Sequence, residues 1–188
     1  MNQATARPAL DDILLEARQF HLAFASLLLA TASADGEPTA SYAPYVTDAE
    51  GSFYVYVSEL AAHTANLQQH PRASVLFIED ESHARHLFGR RRVTYSCRVE
   101  GIGRQDARFA GILDRFAEKH GKFMDMMRDL QDFHLFRLVP ERASYVRGFA
   151  EAFELTGERL EQIRHLNDKG HRAGSRDTAS QMNTLSAA

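Results

Sequence analysis

The sequence predicts an α+β fold that is mainly antiparallel β, a Greek-key or meander barrel decorated by helices. Three observations lead there. About six segments have the length and alternation of strands. Turn chemistry such as "ADGE" (34–37) and "DAEG" (48–51) separates neighbours by a few residues. The strand–helix–strand rhythm of a parallel sheet is missing. "SFYVYV" and "SVLFIED" are apolar on both faces, so both faces need cover, and a barrel this small covers an outer face most easily by forming a homodimer.

Each element follows from its own pattern. "PALDDILLEARQF" (8–20) reads as an amphipathic helix, with Pro8 suited to a first turn and Leu10, Ile13, Leu14 and Ala17 on one face. "SLLLATAS" (26–33), "PTASYAPYV" (38–46) and "SFYVYVS" (52–58) form an expected meander. "SELAAHTANLQQHP" (58–71) predicts a short helix capped by Ser58 and ended by Pro71. "RASVLFIED" (72–80) is a strand, "SHARHLFG" (82–89) a helix of one or two turns, and "RRVTYSCRVEGIG" (91–103) a long strand. Phe109, Ile112, Leu113 and Phe116 share a helical face that Gly121 ends, and Phe123, Met126, Met127 and Leu130 repeat the spacing. "DFHLFRLVP" (132–140) and "RASYVRGFAEAFEL" (142–155) predict a closing hairpin with Pro140 in its turn. A helix over 157–169 then runs to Gly170.

Composition narrows the function classes. At 188 residues, with 44% hydrophobic and 25% charged content, the chain suits one domain with a real core. A net charge of −3 and a pI near 6.3 offer no global positive field for nucleic acid. The single cysteine, Cys97, excludes an internal disulfide, a zinc ribbon and a cysteine-held iron–sulfur cluster, and fits a reducing, cytoplasmic setting. The apolar run at 22–32 is too short for a bilayer, and the first ten residues carry no secretory pattern. No membrane partner is therefore expected.

Three stretches carry candidate chemistry. In "RHLNDKGHRAG" (164–174), His165 and His171 stand six positions apart, on opposite faces if both are helical. That excludes a paired-histidine metal site. They are solvent histidines on a frayed tail, or His171 is an axial ligand delivered by an arm that Gly170 frees, neutral imidazole being the usual protein ligand of haem iron. "FGRRRVTY" (88–95) sets Arg90 and Arg92 on one strand face and Arg91 on the other. This is a solvated strand end that blunts an edge, or an anion site for haem propionates or a phosphate. In "LQDFHLF", Asp132 caps a turn or accepts the Nδ1–H of a ligand histidine. His63, His70, His83 and His86 lie around two short helices and read as surface residues, and Met124, Met126 and Met127 as filler. The chain has no serine triad, P-loop or GxGxxG.

Together, "LLLATASADGEPTASYAPYV", "HTANLQQHPRASVLFIEDE", "LFGRRRVTY", "LQDFHLFRLVPE", "VRGFAEAFEL" and "HLNDKGHR" resemble the HugZ/HutZ-type haem-utilisation proteins, from about residue 25 to 172 and in the same order. The resemblance implies a split β-barrel of the FMN-binding, pyridoxamine 5′-phosphate oxidase-like kind. It divides the chain into an N-terminal helix (1–24), a barrel domain (25–155), a C-terminal helix and ligand arm (156–172) and a disordered tail (173–188). It also implies a homodimer that binds haem at its interface and degrades it oxidatively, releasing iron with electrons from an unidentified donor. Haem would be both substrate and cofactor. His171 would bind the iron, with His165 the lesser candidate. Asp132 would hydrogen-bond the ligand, and Arg92 would stand near its distal side. Arg90 and His63 complete the expected haem-contacting set.

Flavoprotein relatives hold the FMN phosphate with a strand arginine and a cationic turn. Here the turn reads "SELAAH", with Glu59 at the cation's place, and the preceding strand has no arginine. A carboxylate beside a phosphate is repulsive, so the FMN pocket looks degraded. An FMN-dependent oxidoreductase and a non-catalytic haem carrier remain the alternatives.

Overall fold

The computed structural model describes residues 8–166. Helix α1, Leu10–Gln19, carries Asp11 and Asp12 in its first turn and Arg18 in its last, which suits the helix dipole. It buries Ile13 and Ala17. The meander forms as the alternation predicts, with β1 at Ser26–Ala32, β2 at Pro38–Thr47 and β3 at Phe53–Ser58. Helix α2, Ala62–Gln69, follows, then β4, Arg72–Ile78, and β5, Arg92–Ile102. Ser58 does not cap α2: it ends β3, and Ala61 stands at the N-cap with no side-chain bond. Between β4 and β5 the expected helix is replaced by two 3-10 turns, Glu81–His83 and Leu87–Gly89.

Helices α3, Phe109–His120, and α4, Phe123–Met127, follow β5. Phe109, Ile112, Leu113, Phe116 and Met124 build a second core against Val46, Tyr54, Tyr56 and Leu135 on the outside of the sheet. The chain closes with β6 at Phe133–Gly148, β7 at Glu151–Thr156 and β8 at Gln162–His165.

Two expectations fail in this last stretch. Pro140 is not in a turn. Strand β6 runs straight through it, and Pro140 faces Cys97 where the β5–β6 register shifts. Proline has no N–H to give the ladder, and an irregularity of this kind is where a sheet tolerates it. The true reversal lies at Phe149–Ala150, with Ala150 at φ 62°. The helix predicted over 157–169 does not form in its described part. Gly157, at φ 93°, turns the chain, and Gln162–His165 pairs with β7. There Ile163 packs against the main core and Leu160 is buried in it, so tertiary pairing overrides the helical spacing.

The sheet order is β3-β2-β1-β4-β5-β6-β7-β8, and a further β3–β6 pairing closes the first six strands into an antiparallel barrel. Its interior is aromatic: Tyr45, Phe53, Phe77, Tyr95 and Tyr145 are all buried. Most of their ring centroids lie 5–6 Å apart in tilted or edge-on pairs. The Tyr145 hydroxyl donates to Glu16 at 2.6 Å, and Arg147 Nε donates to the same carboxylate at 2.9 Å. These bonds tie α1 to β6.

Candidate functional site

Strand registers decide which sequence candidates can meet. Arg92 stands opposite Ile78 on β4 and Val146 on β6, whereas Ile102, at the other end of β5, stands opposite Leu135. Asp132 immediately precedes β6. Ten ladder positions, about 30 Å of strand, therefore separate the Arg92 end from the Asp132 end. One barrel does not bring these two residues together.

At the Arg92 end the three arginines divide their work. Arg90 donates through Nε and Nη2 to the Glu79 carbonyl and through Nη1 to Glu81, and only 18% of its side chain is exposed. It staples β4 to β5. Arg91 pairs with the Glu79 carboxylate at 3.0 Å. The Arg92 side chain donates through Nη1 to the Arg90 carbonyl at 2.9 Å and to no carboxylate among the described residues. It is thus the arginine of the three with no carboxylate partner there.

Arg92 also borders an apolar patch on the outside of the sheet. The outward residues of β1, β2 and β4 align in rows, Leu28 opposite both Tyr42 and Leu76, and Ala30 opposite Ala40. Ile78 stands beside Arg92. Tyr42 is 67% exposed and Leu28 44%. Exposed apolar side chains grouped in this way mark a contact site.

At the other end, Asp132 lies in the connection between α4 and β6. Its Oδ2 accepts from Ser58 Oγ at 2.9 Å, and its backbone carbonyl accepts from Glu59 N–H at 2.8 Å. Ser58 Oγ also accepts from Leu60 N–H. Glu59 faces His134, with Nε2 to Oε1 at 2.6 Å. Arg104 braces the segment from outside by donating to the carbonyls of Arg128, Leu130 and Phe133.

His63 is on α2 in the same corner, and it is not a surface residue. It is 8% exposed, with Nδ1 2.9 Å from Ser41 Oγ. Burial pushes its pKa below the usual histidine range, so the imidazole is neutral near pH 7. His165 lies on β8 with its ring edge-on to Phe153, 4.8 Å between centroids. Gly170 and His171 lie outside the described residues. Ser41, His134 and Arg104 escaped the sequence reading, and Ser58 entered it only as a helix cap. Ser58 and Asp132 are 74 positions apart, and no local pattern announces a contact that the topology makes.

The comparisons with known proteins agree with this architecture. Residues 14–147 match the family model described as pyridoxamine 5′-phosphate oxidase. Over 157 residues the chain is 38% identical to the Heme oxygenase HutZ of Vibrio cholerae, covering 84% of this chain and 88% of that protein. The crystal structure of HutZ, described as the heme storage protein of that organism, superposes with a TM-score of 0.62 at 36% identity, over 71% of this chain and 92% of the other. Campylobacter jejuni ChuZ gives a TM-score of 0.79 at 29% identity, over 91% and 69%. The six-strand barrel closed by β3 and β6, the family match over most of the chain and the superposition on HutZ lead to one assignment: the chain belongs to the pyridoxamine 5′-phosphate oxidase family, in its HutZ-like group.

Proposed function

We propose that this protein binds haem between two copies of itself and degrades it oxidatively. The observation that carries the reading is the split of the candidate site. Arg92, without a carboxylate partner among the described residues, borders an apolar outer patch at one end, and Asp132 stands at the other. Apposing that face with its copy in a twofold dimer lets one barrel supply Arg92 and the other Asp132 to the same ligand. The residues present suit haem: the face is apolar enough for a flat macrocycle, and the guanidinium at its rim suits a carboxylate. The similarity to a protein named for heme oxygenase activity supports the same reading.

When bound, haem supplies oxygen activation at its iron and is also the molecule consumed. The chain's own residues hold and orient it. His171 provides the imidazole, and Asp132 accepts that imidazole's N–H, which fixes its tautomer and makes it a stronger donor. Arg92 contributes positive charge where anionic character develops. Arg90, committed to Glu79 and Glu81, holds the strand entrance in place, and His63 shapes the corner beside Asp132.

Flavin binding is disfavoured on a specific ground. The turn that would cradle a phosphate presents Glu59, and its carboxylate is held in place by His134. Negative charge there opposes an FMN phosphate.

The test is a haemin titration followed by absorption on wild type and His171→Ala, with ascorbate then added in air. A Soret band that the variant loses or shifts, and that decays only in wild type, supports degradation with His171 as ligand. Identical binding by both transfers the role to His165. A stable band in wild type after reductant makes the protein a carrier. No haem binding, with a yellow protein that releases a fluorescent flavin on heating, overturns the reading.

A further inference from the structure

We propose that Ser58 is a positioning residue for Asp132, and that the turn after β3 has become a carboxylate-holding device in place of a phosphate-holding one. This rests on the reading of Asp132 as the acceptor for the axial imidazole.

The geometry of the turn supports the assignment. Ser58 is the last residue of β3, and Phe133 stands opposite it as the first of β6. The segment that leaves β3 and the segment that enters β6 therefore run side by side. Three contacts sew them together: Ser58 Oγ to Asp132 Oδ2 at 2.9 Å, Glu59 N–H to the Asp132 carbonyl at 2.8 Å, and Glu59 Oε1 to His134 Nε2 at 2.6 Å. Ser58 Oγ is itself oriented, because it accepts from Leu60 N–H at 3.2 Å. Its own proton is then directed at the carboxylate. The Ser58 carbonyl is held by Thr64 Oγ1 at 2.5 Å, and Thr64 is fully buried, so the base of the turn is fixed to α2.

An aspartate has two free side-chain torsions, and a bare carboxylate on a loop samples several rotamers. The Ser58 hydroxyl engages one oxygen and sets the plane of the group. Oδ1 is thereby aimed in one direction as the acceptor for an imidazole N–H. A carboxylate that tunes a metal-bound histidine acts only when this direction is right. The position that presents a cation in flavoproteins is here occupied by Glu59, which pins the backbone of the same segment. Both changes serve one end: the turn no longer meets a phosphate and instead places a carboxylate.

Ser58→Ala and Ser58→Thr, each in the full chain, test this in two arms. The first needs no haem. In crystals of the haem-free protein, Asp132 in Ser58→Ala should leave its wild-type rotamer, and in Ser58→Thr it should keep it. An unmoved Asp132 in Ser58→Ala overturns the proposal, whatever the protein binds. The second arm reads the iron–histidine stretching band of the ferrous haem complex by resonance Raman. The band should shift to lower frequency in Ser58→Ala and return in Ser58→Thr. A merely structural serine would leave it in place, which overturns the proposal. An upward shift also overturns it, because the hydroxyl would then be withdrawing density from the carboxylate instead of aiming it. If the wild type gives no such band while Asp132 moves in the crystals, the positioning stands and the reading of Asp132 as the imidazole's acceptor falls.

Discussion

Replacing Arg104 by alanine should loosen the segment that carries Asp132 while leaving the barrel folded. The guanidinium donates to the carbonyls of Arg128, at 3.0 Å, Leu130 and Phe133, and its plane lies 5.5 Å from the Phe109 ring. It is the side chain that closes the α4–β6 connection from outside. A hydrogen bond from a charged donor contributes about 1.5–3 kcal/mol, and exposure of Arg104 places each bond at the low end. Ordering a long side chain costs about 1–2 kcal/mol. With two strong bonds counted, the net loss is about 1.5 kcal/mol, about tenfold in local opening. The assay is hydrogen exchange of backbone amides by mass spectrometry. Exchange across 128–133 should accelerate about tenfold, and β4 and β5 should not change. Arg104→Lys should recover less than half, because an ammonium cannot fork to several carbonyls. Unchanged exchange at 128–133 in Arg104→Ala would refute the assignment of Arg104 as the brace.

Four further outcomes follow from other parts of the structure. Burial, opposed by a bond to the Arg18 carbonyl and reinforced by Lys119, lowers the pKa of His21 from 6.5 to about 4. Across that window the unfolded chain binds a proton that the folded chain does not, so stability should fall as pH drops from 6.5 to about 4, by up to about 3 kcal/mol. Urea titrations at several pH values should show this slope in wild type and a shallower one in His21→Gln, where only carboxylates held below their usual range, such as Glu16 and Glu100, still contribute. Tyr42→Asp puts a charge in the apolar outer patch and should give a monomer by light scattering, with haem binding lost alongside. Phe77, 1% exposed at the centre of the aromatic core, should cost about 3–5 kcal/mol as alanine, read from the denaturation midpoint. Gly157→Ala, at φ 93° with a Cβ that would overlap the Glu161 carboxylate, should cost about 1–3 kcal/mol and lower the melting temperature accordingly.

The barrel was legible in the sequence because its strands alternate and its turns are short. "SLLLATA" buries every second residue as β1, and "DAEG" makes the reversal that the pattern announces. Legibility ended where long-range pairing overrides a local signal. Pro140 suggests a turn to any local reading, yet β6 passes through it because the strand bulges at Glu141, where the register against Ser96 and Cys97 shifts. The run over 157–169 has helical spacing, yet β7 offers it an edge. The site divided in the same way. Arg92 and Asp132 could be singled out by type and context. The burial of His63 and the grip of Ser58 on Asp132 depend on α2 and β6 reaching the same corner, which no window of sequence contains.

The β7–β8 hairpin fixes where the barrel hands over to the last stretch of chain. Leu166 N–H donates to the Ala152 carbonyl at 2.7 Å, which makes that point an anchor. His171 is five residues further on, so at about 3.5 Å per residue covalent geometry alone keeps its Cα within about 18 Å of that anchor. An iron bound by His171 would have to lie within that radius, plus one side-chain length, of the Ala152 edge of the sheet.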